Sequence, residues 1–505
     1  MDLGIFFILT PMKKVVIIGA GIGGLSAAAV LAKAGFHVTV VEKNEKAGGR
    51  INSFEAEGFR FDMGPSWYWM PETFENFYNL FGYTTSDFYD LKRLDPSYKV
   101  FFQDEAIEVP ANYSEIRSLF ERFEPGSAGR LDQFLSEAKY KYDVGMSEFV
   151  WKPGKSLLEF FDLKVLKSVF KLQMFSSIKK AVSKVVSHDK LRQILEFPIL
   201  FLGATPKNTP ALYSLMNYAD IKLGTWYPMG GMYKIAEAFY KIALSQNVEF
   251  IFNDPVIEFQ FKRNEISHVI TKTQKFGCDY VLANADYHFI DQQILPKKLA
   301  DYNSKYWDSR KMAPSSLLVF IGLNKKMNGL THHNLFFDTD FDKHASQIYN
   351  EPAWPENPLF YVCCPSITDP TVAPSGQENL FLLIPIAPDL KDSAHFKEKY
   401  LDIMINRIEH HTNCSFKEDI IFKKYFSVGD FKTYYNSFKG NAYGLANTLD
   451  QTAILKPSLK SKKVSNLYFS GQLTTPGPGL PPSIISGQVA ADQIIKREST
   501  NVESI

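Results

Sequence analysis

"VVIIGAGIGG" occupies residues 15–24, and "EKNEKAGGR" follows at 42–50. The first stretch opens on four branched apolar residues, the pattern of a parallel strand buried on both faces. Residues 25–34 are Ala- and Leu-rich and predict a helix closed by Gly35. Residues 37–41 predict a second buried strand. Gly19, Gly21 and Gly24 thus form a GxGxxG turn inside a βαβ unit. The first glycine permits the turn, the second lets backbone approach a pyrophosphate, and the third lets helix pack on strand. Phosphates would meet the positive end of the helix. Glu42 ends the second strand where a carboxylate can accept from a ribose 2′-OH.

That motif leaves NAD and FAD open. Gly48, Gly49 and Arg50 narrow the choice, because a plain NAD domain has no need of them. The glycines let a loop return over the nucleotide, and Arg50 offers a fork of donors to a phosphate. "GFRFDMGPS" (58–66) then reads as a strand delivering Gly64, Pro65 and Ser66 to a buried ring.

Outward from this unit, 505 residues exceed one ordinary core, so several domains are expected. A net charge of +1 supplies no global field for nucleic acid. The chain has 42 Phe and 25 Tyr, enough to line a large apolar cavity as well as fill a core. Four cysteines without a CxxC pair fit a reduced cytoplasm. The apolar run 5–9 is too short to span a bilayer and lacks a basic start, and Met12 is expected as an alternative start. No segment elsewhere is long and apolar enough for a span.

Further nucleotide-type segments recur. "YPMGGMYKIAEAFYKIA" (227–243) turns into a helix, 248–252 and 256–261 read as strands, and "GCDYVLANAD" (277–286) is a buried strand entering a loop. Near the C-terminus, 467–470 predicts a strand, followed by a Gly/Pro loop and a helix from about Ser483. The expected architecture is α/β and multidomain. A discontinuous Rossmann-like nucleotide domain takes 12–95, 227–290 and 460–497. A mixed-sheet substrate domain takes 96–150 and 291–459, and a helical subdomain takes 151–226.

GxGxxG, the acid, "GGR" and "FDMGPS" together resemble the FAD pattern of amine oxidases, protoporphyrinogen oxidases and carotenoid desaturases. The resemblance implies FAD, with Glu42 and Lys43 at the adenosine, Arg50 near the pyrophosphate and residues 64–66 near the isoalloxazine. It also implies that the adenine end is fed by Val256, with Asp286 close by, and that Gly471 and Gln472 meet the ribityl-pyrophosphate. Pro482, Ser483 and Ile484 would bring a helix N-terminus to the flavin, its dipole favouring an anionic ring. No second GxGxxG is present, so a separate NAD(P)H domain is not expected.

"FDMGPSWYWMP", "LGTWYPMGGM", "FKGNAYGLANTL" and "GQLTTPGPGLPPSIISG" look most like bacterial phytoene desaturases and their carotenoid relatives. Amine oxidases usually carry a Trp and Gly-Tyr where this chain has Pro-Gly-Pro-Gly-Leu-Pro-Pro. The resemblance implies transfer of hydride from a carotene to flavin, with oxygen or a membrane quinone as final acceptor. A hydrocarbon is recognised by shape and apolar contact. Trp67, Tyr68, Trp69, Trp226 and Tyr227 are the candidate walls. Asp62 and Asp220 are possible proton acceptors, although packed structural acids are the simpler reading. His332–His333 and His410–His411 lack metal-ligand spacing and read as solvated loop residues, so no metal is expected.

A lipid-dissolved substrate requires contact with a bilayer. Leu158, Phe161, Val165, Val169 and Leu172 share one helical face, with Lys164, Lys167 and Lys171 opposite and Lys179, Lys180 and Lys184 beyond. Such a helix can lie in the headgroup region; a surface helix packed on the core has the same pattern. The resemblance implies peripheral attachment, expected on the inner face of the cell membrane. An amine or protoporphyrinogen oxidase, and a non-enzymatic prenyl-protein-binding relative, remain as alternatives.

Overall fold

The computed structural model describes residues 12–154, 176–200 and 205–503. The basic amphipathic stretch at 157–172 lies outside them.

The strand Lys14–Ile18 is the centre of a five-stranded parallel sheet ordered Leu467–Phe469, Tyr280–Ala283, Lys14–Ile18, His37–Val41, Glu249–Ile251. Its strands thus come from both ends and the middle of the chain. Alternation decides what each residue meets. Val15 and Ile17 face the helices Ile22–Lys33, Tyr233–Ser245 and Leu480–Glu503. Val16 and Ile18 face a three-stranded antiparallel sheet, Val256–Lys262, Glu265–Thr271 and Lys275–Gly277. Both faces are covered, which is why the strand carries no polar residue after Lys14.

A second sheet has seven strands in the order Ile420–Phe426, Ser315–Leu323, Glu378–Ile386, Phe360–Cys363, His333–Phe336, Tyr98–Phe101, Ala106–Val109. Its orientation is mixed, parallel only where Tyr98–Phe101 meets His333–Phe336. One face packs on the helix Ala394–Thr412 through Val319, Ile321 and Leu382. The other carries Phe320, Phe381 and Tyr361 towards the helices Ser127–Val144 and Asp189–Leu200. No helix among the described residues is long and apolar enough to cross a membrane.

Two helix starts differ from the sequence reading. The first helix begins at Ile22, directly after the second motif glycine. The last begins at Leu480, because Pro481 and Pro482 occupy first-turn positions where no amide hydrogen is required. Ile484 therefore sits a full turn inside, fully buried in the nucleotide core, and its carbonyl accepts from Ser26 Oγ at 2.9 Å. Its side chain belongs to the helix packing and does not present the helix end to a ligand.

Candidate active site

The βαβ turn opens onto a cleft. Gly19, Gly21, Glu42, Lys43, Gly49, Arg50, Val256, Asp286, Gly471, Gln472 and Ser483 all line it. Gly24 lies beneath: a Cβ there would stand 2.2 Å from the Gly19 carbonyl oxygen, so only glycine lets helix and turn close.

Glu42 is buried, and its two oxygens accept from Ala20 N–H at 2.8 Å and Asn44 N–H at 2.9 Å. Burial raises its pKa, and those amides partly restore the charged form. Each oxygen keeps a further lone pair for a sugar hydroxyl. Lys43 Nζ crosses the cleft to the Thr433 carbonyl at 2.8 Å and Asn436 Oδ1 at 3.2 Å.

Arg50 donates from Nη2 to Ser437 Oγ at 3.2 Å and lies 5.1 Å over the Tyr435 ring. Its Nε is buried without a partner. Burial pushes the Asp286 carboxyl up to about 6, against the pull of the Arg50 guanidinium. A buried guanidinium with an open donor fits a phosphate. The cleft therefore brings together a carboxylate, glycine-lined backbone and an arginine. Asn284, Tyr434, Tyr435 and Asn436 also line the cleft, and of these only Asn284 stood in a segment the sequence singled out. Asn284 bonds Ser470 Oγ at 2.9 Å and lies under Gly21 and Gly23, so the "LANAD" stretch contributes more than its acid.

Gly64 packs so closely that a Cβ would meet the Arg50 carbonyl oxygen at 2.1 Å, tying the 64–66 loop to the nucleotide loop. Ser66 lines a smaller cavity of 340 Å³ with Asp62, Tyr227 and Cys363. Pro65 follows Gly64 directly in the same half-buried loop. Pro482, also half-buried, contacts Gly479 at the helix start.

The aromatic wall divides. Trp67 and Trp69 belong to the core of the second sheet, whereas Tyr68 is fully buried in the nucleotide core, stacked on Phe74 at 4.4 Å. The Tyr68 hydroxyl bonds that of Tyr89 at 3.1 Å. In extended chain successive side chains oppose one another, so Tyr68 cannot share a wall with its neighbours. The same alternation separates Trp226, packed against the nucleotide core, from Tyr227, whose ring lies 4.6 Å from His332. Trp67, Trp69 and Tyr227 remain on the second-sheet side.

The acids are structural. Asp62 accepts from Met232 N–H at 2.8 Å and Tyr233 N–H at 3.1 Å, holding a helix N-terminus. Burial pushes it up to about 6. Asp220 accepts from the Tyr98 hydroxyl at 3.0 Å, and burial pushes it up to about 7.

The histidines correct the solvated-loop expectation. His332 and His333 are 3% and 0% exposed. They stand with Cys363 so that a ring nitrogen from each and the thiol sulfur lie within 4.8 Å of one another. Burial pushes the thiol up to about 12, which favours the protonated form over a metal-binding thiolate. His410 is exposed, while His411 Nε2 bonds Asp338 at 2.9 Å.

A discontinuous dinucleotide cleft, closed by a returning arginine loop and set against a second sheet with an aromatic wall, defines a flavin-type oxidoreductase fold. The chain belongs to the flavin containing amine oxidoreductase family, whose pattern matches residues 22–495. It is 40% identical to a carotenoid 3,4-desaturase of Haloarcula japonica, covering 96% of this chain and 98% of that one. A zeta-carotene-forming phytoene desaturase of Myxococcus xanthus is 30% identical, with 96% and 94% covered. Among solved structures, an oxidoreductase from Methanosarcina mazei superposes with a TM-score of 0.63 at 16% identity, covering 95% of this chain and 100% of that one. Cyclohexylamine oxidase from Brevibacterium oxydans gives 0.57 at 16% identity, with 97% and 100% covered. At these identities the structures share the fold.

Proposed function

We propose that the chain is an FAD-dependent carotenoid desaturase acting late, at a 3,4 position of its substrate. Its observational support is the 40% identity to a 3,4-desaturase along nearly the whole of both chains, against 30% to a phytoene desaturase.

FAD, when bound, supplies an acceptor for two electrons and one hydrogen. Glu42 holds the adenosine sugar, and Arg50 with the Gly19–Gly24 backbone holds the pyrophosphate. The 64–66 loop, packed on the Arg50 carbonyl, would stand beside the reacting end. Trp67, Trp69 and Tyr227 orient an apolar polyene and exclude water, the protein's main task when the reacting carbons offer nothing to bond. The 157–172 stretch, continued by Lys179, Lys180 and Lys184, contacts the bilayer that holds the substrate, on its cytoplasmic side. Oxygen or a membrane quinone reoxidises the enzyme. The proposed partition into a nucleotide domain (12–95, 227–290, 460–497), a substrate domain and a helical subdomain follows the two sheets.

The test is FAD-loaded protein on liposomes, offered phytoene or a 1-hydroxylated downstream carotenoid, with products followed by chromatography and spectrum. Conversion of the downstream carotenoid alone supports late desaturation. Stepwise red-shifted products from phytoene move the enzyme to the early steps. Peroxide released with soluble amines, and no carotenoid product, overturns the reading.

A further inference from the structure

Making CH=CH from CH2–CH2 removes two hydrogens. The first leaves with its electron pair to the flavin. The second leaves as a proton, and the electrons of its C–H bond become the new π-bond. Where water is excluded, that proton needs a side-chain acceptor.

The buried groups around the 64–66 loop and the histidines can be sorted by their bonds. Asp62 is occupied by two helix amides. Asp369 takes Gly230 N–H on one oxygen and Thr371 N–H and Oγ–H on the other. Asp220 is held by Tyr98 and Thr225. Cys363 is a thiol. His332 and His333 differ: each has Nδ1 engaged and Nε2 buried with no partner. His332 Nδ1 lies 2.8 Å from Thr368 Oγ1, and His333 Nδ1 lies 2.7 Å from Tyr361 Oη. The Tyr361 oxygen, 2.7 Å from His333 Nδ1, can accept from an Nδ1–H. That tautomer leaves the Nε2 lone pair open.

The pair is also tied to the flavin loop. The Trp67 ring, next to Ser66 in the chain, stacks on His333 at 4.0 Å and 11°, and Tyr227 packs on His332. The two imidazoles are 4.5 Å apart.

Resting on the desaturase reading above, we propose that the His332–His333 pair accepts the proton released in desaturation, through His333 Nε2, with Trp67 supporting the transient imidazolium. Burial pushes His332 down to about 3 and His333 well below its usual value, so both rings are neutral before turnover. A weak base suffices, because the carbon next to an allylic cation is strongly acidic. The stacked Trp67 face offers the imidazolium a cation–π contact.

The test uses the full-length FAD-loaded protein on liposomes with the carotenoid it converts. His333→Asn keeps a donor where Nδ1 meets Tyr361 but has no Nε2. It is expected to keep FAD and lose about 100-fold in the rate of desaturated-product formation. His333→Gly is expected to be slow and to regain activity with free imidazole. Histidine labelled with nitrogen-15 should report Nδ1–H and an unprotonated Nε2 in the wild type at neutral pH. Full-rate product formation by His333→Asn and by the His332→Asn/His333→Asn double variant overturns the proposal. So does an Nε2–H tautomer, absence of imidazole rescue in FAD-loaded His333→Gly, or stoichiometric zinc on purified protein. A wild type that reduces no flavin with any carotenoid defeats the functional reading itself, and the inference with it.

Discussion

Gly487→Ala tests how the cleft is built. Gly487 sits on the last helix where it crosses the first, and a Cβ there would stand 2.1 Å from the Gly23 carbonyl oxygen and 3.1 Å from Ala27 N. Ordinary C···O contact is about 3.3 Å, so the helices must part by about 1 Å at that point. Overpacking of this kind costs about 1–3 kcal/mol. Alanine in a helix returns about 1 kcal/mol. The net expectation is a loss of about 0–2 kcal/mol. The strain falls on Gly23, in the turn that lines the cleft, so FAD affinity should fall with it, tenfold for about each 1.4 kcal/mol the turn bears. Gly129→Ala is the control: it lies exposed on the helix Ser127–Val144 with no atom within 4 Å of its would-be Cβ. It should gain about 0.5–1 kcal/mol and leave FAD alone. Thermal unfolding of apo-protein and titration of FAD fluorescence read both effects. A Gly487→Ala protein as stabilised as Gly129→Ala, with wild-type FAD affinity, would refute the argument that this helix crossing sets the phosphate turn.

Further outcomes follow from the same geometry. Tyr68→Ala empties a fully buried site beneath the nucleotide layer and should cost about 3–5 kcal/mol, whereas Trp67→Ala should keep FAD and lose carotenoid turnover; equal thermal stabilities for the two would contradict the alternation. Asp220 has a folded pKa of about 7 against 3.8 in the open chain, so the folded state holds a proton that the unfolded state has released. Its contribution to stability is therefore largest below about pH 4 and declines as pH rises to about 7, then levels. Asp220→Asn should make the pH dependence of the melting temperature shallower across that window; an unchanged slope would show that Asp220 is already ionised in the fold.

The parts of this molecule that sequence reveals are those whose physics is local. Four branched residues, spaced glycines and an acid after the second strand specify one βαβ unit, because each is demanded by its immediate neighbours. The seven-stranded sheet is different. Tyr98–Phe101 lies beside His333–Phe336 although the chain separates them by more than two hundred residues, and nothing in either strand names its partner. The cleft shows the same split. Gly19, Glu42 and Arg50 stand in one short motif, but Tyr434 and Tyr435 reach it from the far end of the chain. His332 and His333 misled for a related reason. Two adjacent histidines after "NGLT" look like a wet turn, and only a sheet covered on both faces makes both of them buried.

Residues 62–70 are where the two halves of the molecule become one device. Asp62 grips the helix Tyr233–Ser245, Gly64 rests on the Arg50 carbonyl, and the extended chain beyond sends Trp67 and Trp69 one way and Tyr68 the other. A shift in the nucleotide loop must therefore move the aromatic wall, since Tyr68 is locked below by Phe74 and Tyr89 while Trp67 is locked above by His333. Filling the polar cleft and shaping the apolar chamber are then coupled through backbone rather than through any contact between ligands. That arrangement suits an enzyme whose substrate carries no polar group at the carbons that react.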